Sequence, residues 1–429
     1  MLSGYLKVIP VLLVSVFISA CGTGIKAAEG TRPEEKIRLK IYTQYTDTIT
    51  EKIPFDYAKM AMEKVMPNVE LDLEVEAQDD NLRLKTYAAA GNLPDIFRVT
   101  SDTRKTFERS KNLLLLDGYI EELKILDRLT SMAVELIKDS DGHFYSVMNM
   151  GIFTELIYYN GEIFQKCGIN KIPANFNEFL EAVKTIREKG ILPIAIFSKE
   201  KWPAVQLFDL CTVADRPGGM AVLEKDDNSI GDEAYKHAAE KVVELVKAGA
   251  FDNNRFETQY VQAAELFKTG GAAMIINGSW TLREYGDLPG DEVDFMLPSV
   301  FSEPGEKWNF NMSGGGFNSG YSVSANTRHR DSAAKYAVQF ALKQTEGRTV
   351  KASEENFILN NCPEPEQQYN ALQEKYAQIA PAFKTYTCFP WGLTNAKFKT
   401  QMEDSCQELL TGQLAPEDFI KSIRTSLER

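Results

Sequence analysis

Near its start the chain alternates strand and helix patterns, and this order constrains the fold more than any other feature. Apolar and charged residues alternate over residues 37–41 and again over Val69–Val75, which predicts two strands. Between them an apolar face recurs every three or four residues and predicts a helix that ends before Pro67. A second helix over residues 82–90 precedes a third strand over residues 95–99. This β-α-β-α-β order predicts an α/β fold with a parallel sheet and right-handed crossovers.

The middle of the chain repeats this arrangement. Asn175 with Glu178 predicts a capping box that opens a helix, and a strand over residues 191–197 follows and delivers residues 198–202. A further short strand over residues 272–276 ends in the sequence Asn-Gly-Ser-Trp. Ligands of open α/β sheets bind beyond the carboxyl ends of the strands. This rule predicts a site that includes residues 43–47 and 100–102. In the middle of the chain, a Trp follows each of the two predicted strands.

Composition limits the classes of ligand and partner that this chain could bind. The 429 residues carry a net charge of −13, with 48 Lys and Arg against 61 Asp and Glu. At roughly 100–200 residues per domain this length predicts two or three domains. No dense basic run is present, which argues against a nucleic-acid partner, because phosphate binding depends on clustered Lys and Arg. A neutral or weakly charged small ligand fits this composition.

The first 33 residues are predicted to be a targeting segment. An apolar stretch over residues 8–17 follows a short basic region and is too short to span a bilayer, so residues 1–20 are interpreted as an export signal. Ile-Ser-Ala-Cys at residues 18–21 resembles the bacterial lipobox, in which the Cys receives a diacylglyceryl group. The alternative is an ordinary signal peptide with a chance Cys. Residues 21–33 are then a lipidated Cys21 and a flexible tether.

The five other cysteines form no paired framework. Cys211 and Cys406 follow apolar patterns and are predicted to be buried thiols. A bridge between Cys362 and Cys388 stays open.

Motifs for catalysis, metal binding and cofactor binding are mostly missing. The three His are far apart, and no zinc, nucleophile-elbow or phosphate-loop motif occurs, so no catalytic residue, metal or cofactor is predicted. The Gly-rich run Ser313 to Phe317 is expected to pass close to another backbone or to a ligand. A secreted glycoside hydrolase, which needs two carboxylates, stays the main enzyme alternative.

Several short motifs in a fixed order carry a resemblance over roughly residues 35 to 425. They are the lipobox, Gly-Asn-Leu-Pro-Asp-Ile-Phe at 91–97, Tyr-Tyr-Asn at 158–160, Gly-Gly-Ala-Ala-Met at 270–274 running into Asn-Gly-Ser-Trp at 277–280, Gly-Tyr-Ser-Val-Ser at 320–324, and Leu-Leu-Thr-Gly at 409–412. The chain resembles the family 1 extracellular solute-binding proteins, the lipoprotein components of ATP-binding-cassette carbohydrate importers, and is similar in layout to maltose-binding protein.

The resemblance implies a two-lobe, type II periplasmic-binding-protein-like fold. Each lobe is a mainly parallel sheet flanked by helices, and hinge strands join the lobes. The expected first lobe is 34–152 plus 298–345, and the expected second lobe is 153–297 plus 346–429. It also implies a monomer on the outer face of the bacterial cell membrane, with a carbohydrate ligand, importer permease subunits as partners and no chemistry of its own.

The resemblance further suggests the binding residues. Trp280, Trp202 and Trp391 are expected to line the cleft, because a pyranose packs its C–H groups on aromatic planes. Carboxylates can accept two vicinal hydroxyls at once. The expected polar and loop contacts are Asp102, Ser101, Tyr45, Asp47, Glu155, Gly316 and Phe317. Either Tyr42 or Tyr45 is expected to face the cleft.

A binding protein of the same fold for a polyamine or a peptide is the remaining alternative, and its cleft would be lined by acids or backbone groups. Three candidate cleft Trp favour a sugar. The sugar, its length and its linkage are left open.

Overall fold

The computed structural model describes residues 36–77, 79, 81–290, 292–306, 310–355 and 357–427. The predicted export signal 1–20, the lipidation site Cys21, the tether that follows it and Trp308 lie outside these residues. Within the described ranges, no helix has both the length and the apolar character needed to cross a membrane.

Two sheets of hydrogen-bonded strands organise the fold. The strands of both sheets, and a short separate pair, are β1 Ile37–Thr43, β2 Val69–Val75, β3 Ile96–Val99, β4 Val147–Met148, β5 Glu155–Asn160, β6 Leu192–Ala195, β7 Ala272–Gly278, β8 Val293–Met296, β9 Asn311–Met312, β10 Gly320–Val323 and β11 Thr385–Tyr386. The first sheet has the order β2-β1-β3-β10-β4, and the second has the order β6-β7-β5-β8.

Each sheet is mainly parallel, and each contains one reversed strand. In the first sheet β1 pairs in parallel with β2 and β3, whereas β10 runs antiparallel to β3 and β4. In the second sheet β6 and β7 are parallel, and β5 runs antiparallel to β7 and β8. The predicted fold class, with mainly parallel sheets flanked by helices, is therefore confirmed.

The helices pack on the faces of these sheets. They are α1 Ile53–Val65, α2 Leu82–Ala89, α3 Ser101–Arg109, α4 Asp117–Glu122, α5 Ser131–Ile137, α6 Gly161–Lys166, α7 Phe176–Glu188, α8 Trp202–Asp215, α9 Glu233–Lys247, α10 Tyr260–Lys268, α11 Leu282–Gly286, α12 Arg330–Ala352, α13 Ala371–Ile379, α14 Ala396–Leu409 and α15 Pro416–Leu427. The apolar face predicted for α1 is buried through Phe55, Ala58 and Met62.

The cap of α7 differs in one detail from its prediction. Asn175 Oδ1 accepts from the backbone N–H of Glu178 at 3.1 Å, as predicted. The Glu178 carboxylate accepts instead from the N–H of Ala174 at 3.0 Å, one residue before the cap. The longer reach still satisfies an N–H group that would otherwise lack a partner at the start of the helix.

The second sheet buries both of its faces. Ile157 and Tyr159 pack into one cluster with α8 and α9, while Leu156 and Tyr158 pack into another on the opposite face. This alternation follows from the period of two along a strand. Cys211 and Cys406 are buried as predicted, and the five cysteines among the described residues are free thiols, so the open Cys362–Cys388 bridge is not formed.

Two chain segments cross between the sheets side by side. One runs from β4 to the start of β5, and the other runs from β9 to the start of β10. The Gly315 N–H donates to the Phe153 carbonyl at 2.7 Å, and the Glu155 N–H donates to the Ser313 carbonyl at 2.9 Å. The expectation that the Gly-rich run passes close to another backbone is met here.

Glycine is required in this crossing because the backbone is left-handed and crowded. Gly314, Gly315 and Gly316 have φ of 87°, 92° and 72°. A Cβ on Gly315 would lie 2.7 Å from the Cβ of Tyr386. A side chain there meets both a conformational penalty and a steric one.

We predict that Gly315→Ala lowers the free energy of unfolding by about 2–4 kcal/mol, since the left-handed penalty adds to overpacking. Gly305 is the matched control, because its φ is 88° and no atom lies within 4 Å of an added Cβ. Gly305→Ala should therefore cost only about 1 kcal/mol. Urea unfolding measures both variants, and equal losses would show that the crossing is not tightly packed.

Candidate functional site

The three Trp expected in the cleft come together in one aromatic cluster, with ring centroids 5.1 Å apart for Trp202 and Trp391, 6.1 Å for Trp202 and Trp280, and 6.5 Å for Trp280 and Trp391. Each Trp is partly exposed. Large aromatic rings that meet while keeping exposed surface form a ready apolar binding face.

The fold delivers these rings from three separate places. Trp202 begins α8 shortly after β6, and Trp280 lies two residues beyond the end of β7. Trp391 lies in the 3₁₀ turn Pro390–Gly392. A Cβ at Gly278 would lie 2.0 Å from the Trp280 ring, so glycine is needed for this ring to lie over the end of its own strand.

Two Phe complete the cluster, and sequence reasoning missed both as site residues. The Phe389 ring stacks on Trp391 with centroids 4.6 Å apart and 8° between planes. The Phe153 ring meets Trp280 edge-on at 5.5 Å. Phe389 directly precedes the Pro-Trp-Gly motif and could have been found there, whereas nothing in the sequence around Phe153 indicated this role. We call Phe153, Trp202, Trp280, Phe389 and Trp391 the aromatic cluster.

Polar partners orient the three indoles. The Trp202 N–H donates to Glu200 Oε2 at 3.3 Å, the Trp280 N–H donates to the Tyr260 hydroxyl at 3.3 Å, and the Trp391 N–H donates to Asn318 Oδ1 at 3.2 Å. These bonds fix the ring planes and place hydrogen-bonding groups at the edge of the apolar face.

The helix α3, which follows β3 of the first sheet, brings its first residues to the site. This helix packs against the turn that carries Trp391. The Ser101 hydroxyl lies 3.5 Å from the Phe317 carbonyl, and the Arg104 guanidinium lies 4.3 Å from the centroid of the Phe317 ring. The carboxyl end of β3 therefore meets the aromatic cluster that follows β6 and β7, and Ser101, Gly316 and Phe317 lie at that meeting point.

Asp102 is almost fully buried and has partners within the chain. It accepts from the Thr100 hydroxyl at 2.6 Å, and its other oxygen lies 4.0 Å from Lys85 Nζ and 3.9 Å from Lys399 Nζ. Lys399 lies on α14 and is itself buried. The Asp102 carboxylate thus connects the start of α3 with α14 through charge attraction.

Tyr45 and Asp47 are used locally in this structure. The Tyr45 hydroxyl donates to Asp56 at 3.1 Å and its ring packs edge-on against Phe55 at 5.3 Å, so Tyr45 packs on α1 rather than in the aromatic cluster. Asp47 is exposed and caps the helical turn Thr48–Lys52. Tyr42 is buried on the first sheet, and its hydroxyl accepts from the backbone N–H of Ala77.

Glu155 lies beneath the cluster, because it pairs with Gly278, the residue that the Trp280 ring covers. Its carboxyl group is fully buried, and neither oxygen has a hydrogen-bond partner among the described residues. Burial, reinforced by the charge of Asp209, raises the pKa of Glu155 well above its usual range.

Asp209 lies deeper along α8 and is better satisfied. It accepts hydrogen bonds from the hydroxyls of Thr387 and Ser313 at 2.5 and 2.8 Å, and from the Met220 N–H at 2.8 Å. Burial raises the pKa of Asp209 to about 6, although these three hydrogen bonds oppose the shift. In the part of the chain that the structure describes, no group of three or more His, Cys, Asp or Glu could hold a metal ion.

Two mainly parallel sheets joined by crossing segments define the type II fold of periplasmic solute-binding proteins. The family model described as bacterial extracellular solute-binding protein matches residues 46–344, more than half of the chain, and the chain belongs to this family.

Curated relatives share part of their length with this chain. An uncharacterized ABC transporter extracellular-binding protein of Pyrococcus horikoshii is 27% identical over 287 residues, which cover 64% of this chain and 63% of that protein. The multiple sugar-binding protein of Streptococcus mutans is 24% identical over 344 residues, which cover 76% of this chain and 75% of that protein.

Solved structures share the fold over most of the chain. A chitin oligosaccharide binding protein has a TM-score of 0.78 at 23% identity, covering 91% of this chain and 98% of that one. A sugar transporter from Arthrobacter chlorophenolicus with bound laminaribiose has a TM-score of 0.74 at 18% identity, covering 91% and 98%.

We predict that Glu155→Gln stabilises the protein at neutral pH. The unfolded carboxyl ionises above about pH 4.3, whereas the buried native group keeps its proton. The native state therefore binds more protons, and stability falls as the pH rises above that value. The free energy of unfolding should therefore rise at pH 7 and change little at pH 4.

Thermal unfolding at both pH values measures this effect. Exposed Glu188 supplies the control, since Glu188→Gln should change the melting temperature little at either pH. If Glu155→Gln were destabilised equally at pH 4 and pH 7, ionisation of Glu155 would not contribute to the pH dependence of stability.

Proposed function

We propose that this protein is an extracytoplasmic receptor that binds a sugar or oligosaccharide on the aromatic cluster and delivers it to an ABC-type importer. The observation that carries the proposal is the meeting of Trp202, Trp280 and Trp391, which come from three distant parts of the chain.

A sugar fits this surface chemically. A pyranose offers C–H faces to aromatic planes and hydroxyls to polar groups around their edges. Glu200 and Tyr260 lie at those edges through their bonds to the indoles of Trp202 and Trp280. The sugar-binding names of relatives in the same family support this ligand class.

Two lobes that close on the ligand would complete the mechanism. We place strands β1–β4 and β10 in the first lobe and β5–β8 in the second, with the lobes meeting at the crossing segments. Val300 and Phe301 pack with the core beside the second sheet, so residues 298–301 are best assigned to the second lobe in this proposal. Ser101 and Asp102 already lie beside the turn that carries Trp391 and beside Lys399, so in this proposal opening of the lobes admits the ligand and closure restores these contacts and excludes water from the hydrogen bonds of the ligand.

Sugar binding is tested by Trp fluorescence and thermal shift with a panel of mono- and oligosaccharides. One sugar should quench fluorescence saturably and raise the melting temperature. Trp280→Ala should weaken its binding by about five- to tenfold, because a stacked aromatic contributes about 1–1.5 kcal/mol.

Tyr119 on α4 provides a matched control, being partly buried, aromatic and bonded through its hydroxyl to Asp331. Tyr119→Ala should leave sugar affinity within about twofold. Saturable binding of a polyamine or peptide with no response to any sugar would contradict the carbohydrate assignment, and turnover of a chromogenic glycoside would favour a hydrolase.

Membrane attachment through Cys21 belongs to the same proposal. Cys21→Ala should abolish incorporation of a labelled fatty acid and release the protein from the cell surface, because no other lipid anchor is predicted. Fractionation of cells that express both forms measures this. Retention of the label in Cys21→Ala would contradict lipidation at this residue.

A further inference from the structure

Asn318 joins one ring of the aromatic cluster to the two crossing segments. It lies between β9 and β10 and is 1% exposed. Its Nδ2 group donates to the Gly151 carbonyl at 2.9 Å, and its Oδ1 accepts from the Trp391 indole N–H at 3.2 Å. A carbonyl only accepts and an indole N–H only donates, so these two partners fix the orientation of the amide. A side chain with both a donor and an acceptor at its tip is needed here.

The two ends of the bond between Asn318 and Trp391 belong to different hydrophobic cores. Phe317, which precedes Asn318, packs in the core beside the first sheet. Cys388 and Leu393, on either side of the turn that carries Trp391, pack in the core beside the second sheet. The bond therefore connects a residue held by the first core with a ring held by the second.

Trp391 differs in this respect from the other two Trp of the aromatic cluster. Trp202 bonds to Glu200, and Trp280 bonds to Tyr260. Both of these partners lie between β6 and β7, which are strands of the second sheet. Among the three indole bonds, that of Trp391 is the one that reaches a residue next to a strand of the first sheet. A movement of one sheet relative to the other thus acts on the Trp391 bond and leaves the other two intact.

We propose that Asn318 is a positioning residue for the sugar site, which holds the Trp391 ring in one orientation while the two cores are in contact and releases it when they separate. This inference rests on the proposed sugar-binding function. Asn318 is buried, so it acts through the ring and does not contact the sugar. Separation of the cores stretches the bond and turns the indole N–H toward water, because a polar N–H group needs a partner in either state. The ring then loses its fixed plane.

The indole N–H signals in NMR spectra test the bond in solution without any ligand. The Trp391 signal is the one that Trp391→Phe removes. In Asn318→Leu this signal should move toward the position of a water-exposed indole and exchange faster with solvent, while the signals of Trp202 and Trp280 stay. Asn149 is the matched control, because it is also 1% exposed and bonds to Gln344 and Ser319 instead of an indole. Asn149→Leu should leave the Trp391 signal in place.

Sugar-binding kinetics test the positioning role, with the sugar from the panel that quenches fluorescence saturably as the probe. Asn318→Leu should raise the dissociation rate about five- to tenfold, the worth of about one hydrogen bond, and change the association rate by less than about twofold, because the sugar enters before the bond forms. Asn149→Leu also removes two buried hydrogen bonds and should lose similar stability, yet it should change neither rate by more than about twofold. Stopped-flow fluorescence measures both rates.

The Trp391→Phe background separates the bond from a general loss of packing. This substitution keeps an aromatic ring and removes the N–H group. If Asn318 acts through that group, Asn318→Leu should raise the dissociation rate by less than about twofold in this background. An effect of Asn318→Leu that is as large there as in the native background would overturn the positioning role.

Hydrogen exchange of the Trp391 indole N–H in the native protein gives a measurement that does not depend on how any variant folds. Saturating sugar should slow this exchange, because the sugar stabilises the arrangement in which the bond is made. Unchanged exchange at saturation would overturn the release of the ring on separation.

The remaining contrary outcomes have distinct meanings. An unmoved Trp391 signal in Asn318→Leu overturns the bond. Equal dissociation rates for the native protein and Asn318→Leu, or equal effects of Asn318→Leu and Asn149→Leu, overturn the positioning role and leave sugar binding intact. Failure of every sugar in the panel to bind overturns the proposed function and the positioning role with it, whereas the ligand-free indole signals still decide whether Asn318 holds Trp391.

Discussion

The two crossing segments determine most of what lies around the site, because their backbones hold each other in register. Thr154 pairs with Gly314 as an antiparallel bridge, flanked by hydrogen bonds from Glu155 to Ser313 and from Gly315 to Phe153. The same register starts β5 and β10, the reversed strands of the two sheets. It also places Phe153 against Trp280, and it leaves space beside Gly314 for the Phe389 ring, which a Cβ there would approach to 2.9 Å.

Burial at this crossing makes its carboxyl groups unusual. Glu155 lies beneath Trp280 without a partner, while Asp209 collects three donors from α8's surroundings. An isolated charge at the position of Glu155 is costly, so the protonated form of Glu155 is the more stable one. Asp102 meets the same problem differently, since Lys85 and Lys399 lie within 4.0 Å of it. The site therefore combines a neutral Glu155 beneath the aromatic cluster with two carboxylates that have partners, Asp209 among its three donors and Asp102 beside its two lysines.

Local patterns were enough to predict β1, β2, β3, β6 and β7 and the helices α1, α2 and α7, because periodicity is a short-range signal. They did not predict β4, β5, β8 and β10 as strands. The three Trp were suggested as cleft residues by the family resemblance. The strand predicted over residues 37–41 is β1, and the helix predicted over residues 82–90 is α2. The pairing of Asp102 with Lys399 could not be predicted from local patterns, since this contact joins residues hundreds of positions apart. Tyr45 shows another limit of the sequence. Its position after β1 was predicted, but that position did not indicate that its ring packs against Phe55 on α1.

The surroundings of Trp280 explain why polar groups and aromatic rings occur together here. Glu155 lies under the strand end that the ring covers. A buried neutral acid under a large ring keeps the surroundings weakly polar, so hydrogen bonds made there are stronger than in water. Cationic partners would instead attract anions and hold bound water against the apolar face. Under the proposed function, such a surface would distinguish sugars by where their hydroxyls lie relative to the stacked ring.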